Sequence, residues 1–236
     1  MLVFYGVVRY GLTKSFIVLP ILAAPLLALA PSRVADISAD EASAEGRIEA
    51  WYQGFQLLIS HPIFGVGKGL FADKNGGLTA HNSFVLAFAE LGLIGYFVWV
   101  SILALSWLML HRLVFSEAPS GVPPKIVAEW EEIRAAARAL WYGYVGGLGC
   151  AFFLSRTYVV ILYLHLALIV AVFQMARAAR PDFAPVLWRD YAGKLLALCL
   201  GSLIGMWLLV RILLAFTAVA VGEADQCKGV SGDRRS

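Results

Sequence analysis

The sequence has little charge and few cysteines. Asp, Glu, Lys and Arg make up 15% of its 236 residues, against about 25% in an average soluble domain. So few charges cannot cover the surface of a compact soluble domain, so a soluble enzyme is excluded. No Lys/Arg run exceeds two residues, which excludes a nucleic-acid-binding patch. The three cysteines are far apart, so we expect neither a disulfide framework nor a metal site.

Long apolar runs make up most of the chain instead, and 60% of its residues are hydrophobic. A membrane-spanning helix needs about 20 such residues to cross roughly 30 Å of hydrocarbon. The sequence predicts an all-α integral membrane protein with about five transmembrane helices. The five candidate spans are residues 15–30, 83–110, 139–154, 158–176 and 195–221.

The third and fourth spans come from one apolar stretch, residues 139–176, whose only charge is Arg156. As a single helix it would be about 57 Å long, nearly twice the hydrocarbon thickness. We therefore predict a transmembrane hairpin that turns at residues 155–157. A cytoplasmic amphipathic segment precedes it at 111–138. A cytoplasmic loop at 177–194 follows it, and 195–236 hold the last span and a polar tail.

Orientation follows from Lys and Arg near the span ends. With the N-terminus inside, the inner segments 1–14, 111–138 and 176–194 hold ten of these residues, and the outer segments hold eight. Residues 1–110 then comprise the first two spans, joined by a large periplasmic loop at 31–82. Apolar residues at helical spacing after Arg47 predict an amphipathic helix in this loop, ended by His61-Pro62.

A glycine-rich segment, Gly65-Val66-Gly67-Lys68-Gly69, follows that helix. It is either a tight turn that returns the chain to the bilayer or a loop whose amides contact a phosphate. The relaxed dinucleotide fingerprint within it is rejected, because no strand precedes it.

Thr79-Ala80-His81-Asn82-Ser83 stands just before the strongest span. Asn82 or Ser83 can cap that helix, which leaves His81 at its N-terminal edge, where an anion is favoured. Glu90 lies half a turn around the helix from His81, so the two do not form an obvious dyad. A carboxylate about two turns into a span indicates function or a buried partner.

As an ordered set, these residues resemble the signature of the bacterial O-antigen ligase/polymerase superfamily, which consists of inner-membrane glycosyltransferases. The set comprises Arg47-x-x-x-Trp51, His61-Pro62-x-x-Gly65-Val66-Gly67-x-Gly69 and His81-Asn82-x7-Glu90-x-Gly92-x-x-Gly95. Residues 152–158 also resemble a hairpin of exosortase-associated polymerases. Family members usually have ten or more spans, so the resemblance implies that this chain is a C-terminal portion.

The resemblance implies transfer of a glycan from undecaprenyl diphosphate to a sugar hydroxyl on a lipid-linked acceptor, or to a protein. We expect an inverting, metal-independent reaction without a cofactor. Histidine suits the general base, because imidazole exchanges protons near neutral pH. Arginine suits the diphosphate through its fork of donors. The candidate catalytic residue is His81, and the candidate substrate-binding residues are Arg47, Gly65, Gly67, Gly69, Asn82 and Glu90.

A non-catalytic transporter or assembly subunit is the alternative, with Glu90 and Arg211 as a polar pathway or a structural pair. The sequence also leaves open whether the transfer is ligation, polymerisation or protein glycosylation.

Overall fold

The computed structural model describes residues 37–118 and 120–232, with side chains in 46–118 and 120–216. The chain divides into two units, Met1–Glu45 and Gly46–Ser236, and the site described below lies in the second. The predicted first span, residues 15–30, and the end of the polar tail lie outside the described residues.

Every regular element in this part of the chain is an α-helix, which confirms the predicted fold class. Helix α3 lies at the centre and packs against α4, α5 and α6. The helices are α1 (Ile37–Ser60), α2 (Phe71–Lys74), α3 (Ser83–Val114), α4 (Pro124–Phe153), α5 (Val160–Ala179) and α6 (Trp188–Gly232).

Among the described residues, three helical segments are long and apolar enough to cross a membrane: Ser83–Val114, Val160–Ala179 and Trp188–Phe216. The last two expose many large apolar side chains, such as Ile161 on α5 and Ile204 on α6. A surface of this kind is stable against lipid rather than water. The total of five spans remains a prediction.

Helix α4 differs from the sequence analysis, which divided it between an amphipathic segment and a separate span. The structure has one 30-residue helix, Pro124–Phe153. The physical reason is an uninterrupted buried face, since apolar side chains recur every three or four residues on both sides of position 139. These side chains are Trp130, Ile133, Ala137, Trp141 and Tyr144. Residues 154–159 then connect α4 to α5, in the interval where the length argument placed a turn.

Candidate functional site

The central helix α3 is interrupted two and a half turns from its start, at Gly92. Its φ of 65° and ψ of −170° lie in a region that is open essentially to glycine alone. Such a break frees backbone amides and carbonyls that a continuous helix would use. The chain between α1 and α2 crosses α3 here and supplies the missing partners. These hydrogen bonds run from Val66 N to Ala89 O (3.0 Å), Gly67 N to Glu90 O (3.0 Å) and Leu93 N to Pro62 O (2.8 Å).

The crossing brings two glycines together backbone to backbone. A Cβ on Gly92 would lie 2.4 Å from the nitrogen of Gly65, and a Cβ on Gly65 would lie 2.4 Å from the carbonyl of Glu90. Both distances are impossible contacts, so both positions need glycine for close approach. The amide of Gly67 is already bound to a protein carbonyl. The phosphate contact predicted for Gly65, Gly67 and Gly69 remains a prediction.

Glu90 lies at this crossing and is only 2% exposed. Its Oε1 accepts a hydrogen bond of 3.0 Å from the amide of Phe71, the first residue of α2. Its Oε2 is buried and has no hydrogen-bond partner among the described residues. Burying a carboxylate oxygen without a partner costs free energy. A hydrogen bond from one further donor to Oε2 would recover that cost.

Tyr158, in the connection between α4 and α5, lies beside Glu90. Its hydroxyl is also buried without a hydrogen-bond partner among the described residues. Burial, and then the nearby Glu90 carboxylate, raise the pKa of Tyr158, so the phenol keeps its proton. The Nζ of Lys68 lies 5.0 Å from the centroid of the Tyr158 ring. The glycine-rich segment, α3 and the α4–α5 connection therefore meet at one polar cluster.

The start of α3 is fixed by two hydrogen-bonding side chains. Asn82 is the N-cap, and its Oδ1 accepts from the amides of Phe84 (2.8 Å) and Val85 (3.1 Å). The indole Nε1 of Trp51 donates to the carbonyl of Ala80 at 2.7 Å. This bond ties the middle of α1 to the residue before His81, which gives Trp51 of the sequence motif a structural role. Asn82 is fully buried, and any contact with substrate remains a prediction.

His81 lies between these two fixed points and is exposed. Its backbone has a φ of 46°, which is uncommon outside glycine and occurs at functional sites. Its Nε2 is 2.7 Å from the hydroxyl of Thr79, while no described residue pairs with its Nδ1. The ring is therefore oriented through one nitrogen and open through the other, which suits a general base.

The α4–α5 connection docks on Ser83, the first residue of α3. The Ser83 hydroxyl donates to the carbonyl of Leu154 at 2.7 Å and accepts from the amide of Arg156 at 2.8 Å. The hydroxyl of Thr157 donates to the Ser83 carbonyl at 2.9 Å. These three bonds place Arg156, whose side chain is exposed, near the start of α3.

Three exposed cations therefore belong to the segments that surround the first turns of α3. Arg47 is one helical turn before Trp51, Lys68 is over Tyr158, and Arg156 is beside Ser83. Within the described side chains, none of the three has a carboxylate within ion-pair distance. Unpaired positive charge of this kind attracts an anionic group such as a diphosphate.

The predicted site residues fall into two groups in the structure. His81, which is exposed, and Asn82, which is buried, lie at the start of α3, beside the Trp51 turn that follows Arg47. Glu90 is buried with Gly65 and Gly67 of the crossing chain, and no described hydrogen bond joins it to His81. The predicted site omitted Lys68, Arg156 and Tyr158. The only available signal was the polar interruption at residues 155–157 between two apolar runs.

Glu90 and Arg211, the pair named in the transporter alternative, have different neighbours. The Glu90 carboxylate bonds to the Phe71 amide, and the Arg211 guanidinium lies 5.6 Å from the centroid of the Trp207 ring. Within the described residues, no group of three His, Cys, Asp or Glu side chains could hold a metal ion.

Comparison with known proteins gives one family match. A family model described as O-antigen ligase matches residues 1–100, a stretch that contains the whole ordered motif set from Arg47 to Gly95. The match confirms the resemblance to the O-antigen ligase/polymerase superfamily and indicates a membrane protein of polysaccharide biosynthesis that acts on lipid-linked glycans. Searches of curated proteins and of solved structures find no match.

Proposed function

Because residues 1–100 match the O-antigen ligase family, we propose that this chain forms part of an inverting membrane glycosyltransferase. Its donor is a glycan on undecaprenyl diphosphate, and its acceptor is a hydroxyl on a lipid-linked glycan. The observation that carries the proposal is the exposed, oriented ring of His81 at the start of α3, next to segments that carry three cations without a carboxylate partner among the described side chains. One group accepts a proton and the others bind negative charge, which are the two requirements of this transfer.

In the proposed reaction, His81 takes the proton of the acceptor hydroxyl through its open ring nitrogen. The hydroxyl oxygen forms a bond to the anomeric carbon while the bond from that carbon to the diphosphate oxygen breaks. Attack from the face opposite the leaving group inverts the anomeric configuration. The diphosphate leaves with an added negative charge, and positively charged side chains stabilise that charge as it develops.

Arg47 is the proposed diphosphate ligand, because guanidinium binds phosphate oxygens with two parallel hydrogen bonds. Arg47→Lys keeps the charge but loses this geometry, so it should impair transfer without lowering the protein level. Donor affinity and transfer rate are measured on the full gene product in proteoliposomes. Unchanged values in Arg47→Ala would remove Arg47 from the donor site.

The proposal also fixes an orientation in the bacterial inner membrane. The donor glycan is presented on the periplasmic side, so residues 31–82 should lie there and residues 111–138 in the cytoplasm. Single cysteines are introduced at Ser43 and at Ser120 in a background without native cysteines. An impermeant thiol reagent applied to intact spheroplasts should label position 43 but not position 120. In intact spheroplasts, labelling of position 120 but not 43 would reverse this topology.

The deciding experiment compares two histidines. Both are exposed, and a hydroxyl lies beside a ring nitrogen of each, Thr79 for His81 and Ser60 for His61. Loss of a general base costs about 10²–10⁴-fold in rate, so His81→Ala should lose that much activity while His61→Ala keeps its rate. Equal rates for both variants and the wild type would place the base elsewhere.

A further inference from the structure

The membrane-facing part of the structure contains an apolar groove with a charged mouth. It lies between α3, α4 and α5 and has a volume of about 320 Å³. Its walls include Trp99 and Leu103 of α3, Gly147 of α4 and Leu162 of α5. Arg156 also lines it, at the end where the α4–α5 connection docks on Ser83.

A glycine on α4 keeps part of this groove open. A Cβ added at Gly147 would meet nothing within 4 Å, whereas a Cβ at Gly143, one turn earlier, would lie 2.9 Å from the His165 ring. The Gly143-x-x-x-Gly147 pair therefore packs closely against α5 at its first glycine and borders open space at its second.

The groove extends along α4 over most of the thickness of one leaflet of a bilayer. The α4 residues that line it run from Ala151, near the mouth, to Gly143, eight residue steps that rise about 12 Å. Half of the hydrocarbon core is about 15 Å. The groove can thus hold the first part of one hydrocarbon chain that enters from the side of the membrane on which His81 lies.

The positive charge of Arg156 at the mouth indicates that the lipid has an anionic head group. The Arg156 backbone is held by Ser83, and no described carboxylate pairs with its guanidinium. A lipid whose chain lies in the groove would place its phosphate at this cation, where a charge-assisted pair forms. Because Ser83 is two residues from His81, the same lipid would present its head group to the proposed base.

We propose that this groove is a second lipid site, which holds a hydrocarbon chain of the lipid-linked acceptor while Arg156 binds that lipid's phosphate. The inference rests on the proposed function, in which Arg47 serves the donor. Transfer between two lipid-linked molecules requires two lipids to be bound at once. Arg47, on α1, and Arg156, in the α4–α5 connection, supply the two cations.

Cys150 provides a native reporter, since it lines the groove and is exposed. The experiment uses the full gene product in phosphatidylcholine nanodiscs, with undecaprenyl monophosphate as the probe. The rate of N-ethylmaleimide modification at Cys150 is followed by peptide mass spectrometry, with buried Cys199 as the internal reference. We expect the probe to slow modification of Cys150. Arg156→Gln should raise the probe concentration that gives half-maximal protection of Cys150 by about 10–100-fold. This is the loss of affinity typical of removing a hydrogen bond to a charged group.

Two lipid controls identify the ligand. Undecaprenol has the same chain without a phosphate and should protect Cys150 only at concentrations about tenfold or more higher. Phosphatidylglycerol tests for an ordinary anionic lipid. Equal protection by phosphatidylglycerol would assign the groove to bulk lipid, and equal protection by undecaprenol would remove Arg156 from the site. Either result overturns the proposal.

Two glycine variants on α4 test the groove through kinetics. Gly147→Leu should fill it and raise KM for the lipid-linked acceptor, while KM for the donor stays unchanged. Gly149→Leu is the matched control, because Gly149 also borders open space but does not line the groove. Acceptor KM values that are equal in the two variants would overturn the proposal.

His81→Ala separates this proposal from the proposed function. If the proposed function and the groove proposal both hold, the variant loses transfer but keeps full protection of Cys150 by the probe. Retained transfer would overturn the role of His81 and leave the groove proposal standing on its lipid-binding result. Loss of transfer in His81→Ala with no probe protection in the wild type would overturn the groove alone.

Discussion

The two parts of α3 on either side of Gly92 differ in what surrounds them. Residues 83–91 are covered by α1, the glycine-rich segment and the α4–α5 connection, and they include the buried polar side chains Ser83 and Glu90. Residues 93–114 pack against other helices on one side and expose apolar side chains such as Val98 and Ile102 on the other.

This difference shows how one membrane helix can carry buried polar side chains and irregular backbone. Irregular backbone is tolerated at membrane depth only where protein or water covers it. Here the irregular backbone lies at the Gly92 break, and the crossing chain covers it with hydrogen bonds. The segment beyond the break keeps helical bonding and needs only apolar contacts. The polar cluster thus lies on the covered part of α3, and the exposed His81 directly precedes that part in the chain.

The largest expected effect comes from closing the break. Gly92→Ala places a Cβ against the backbone of Gly65 at a positive φ. Overpacking costs about 1–3 kcal/mol, and a backbone conformation that is open essentially to glycine alone costs about 1–3 kcal/mol, so we expect a loss of about 2–6 kcal/mol in the free energy of unfolding. Limited proteolysis between α1 and α3, together with unfolding in detergent, measures it.

Gly146→Ala is the control for this substitution. Gly146 is in α4, and a Cβ there meets nothing within 4 Å. Alanine should stabilise that helix by about 0.5–1 kcal/mol. Equal stability of the two variants would show that the crossing at Gly92 is not a close backbone contact.

The second effect tests Glu90 as the link between α2 and α3. Glu90→Ala leaves the buried Phe71 amide without its acceptor, which should cost about 1–3 kcal/mol in the free energy of unfolding. Glu90→Gln keeps an acceptor oxygen and should recover most of this loss, as measured by unfolding in detergent. A Glu90→Gln variant as unstable as Glu90→Ala would mean that the charge, rather than the hydrogen bond, stabilises the crossing.

How much of this arrangement the sequence could predict depends on how local each interaction is. The cap was predictable to one of two residues, Asn82 or Ser83, because it joins residues only two and three positions apart. The end of α4 near residue 154 followed from helix length. The resemblance identified Gly65, Glu90 and Gly92 as one motif, but their contact is between backbones, and side-chain types do not specify such a contact.

The contact of Lys68 with Tyr158 could not be predicted for a different reason. Ninety residues separate the two side chains, and neither belongs to a recognisable motif with the other. Only the docking of the α4–α5 connection on Ser83 brings them together. The continuity of α4 across position 139 was hidden in a similar way, because the charges of its first half obscured a buried face.

A third effect separates capping from substrate binding at Asn82. Asn82→Ala removes the cap and should cost about 1 kcal/mol in the free energy of unfolding. Asn82→Asp keeps the accepting oxygen and adds a negative charge that the helix start favours, so stability should be kept. If Asn82 also contacts the donor diphosphate, Asn82→Asp should lower transfer through charge repulsion. Stability and transfer measured on the same preparations distinguish the two roles, and normal transfer in Asn82→Asp would leave Asn82 with the cap alone.

The smallest expected effect concerns Lys68. A cation over an aromatic ring at an exposed site contributes about 0.5–1 kcal/mol, so Lys68→Gln should lower the free energy of unfolding by no more than that. Lys74→Gln, in α2, is the control, because Lys74 is an exposed lysine with no ring contact among the described residues.

If Lys68 also binds the donor, Lys68→Gln should raise the donor KM well beyond what its stability loss explains, and added salt should reduce the difference from wild type. Donor KM is therefore measured for both variants at low and high salt. Equal KM values in the two variants would limit Lys68 to holding the glycine-rich segment against Tyr158, and would leave Arg47 and Arg156 as the cations that bind phosphate.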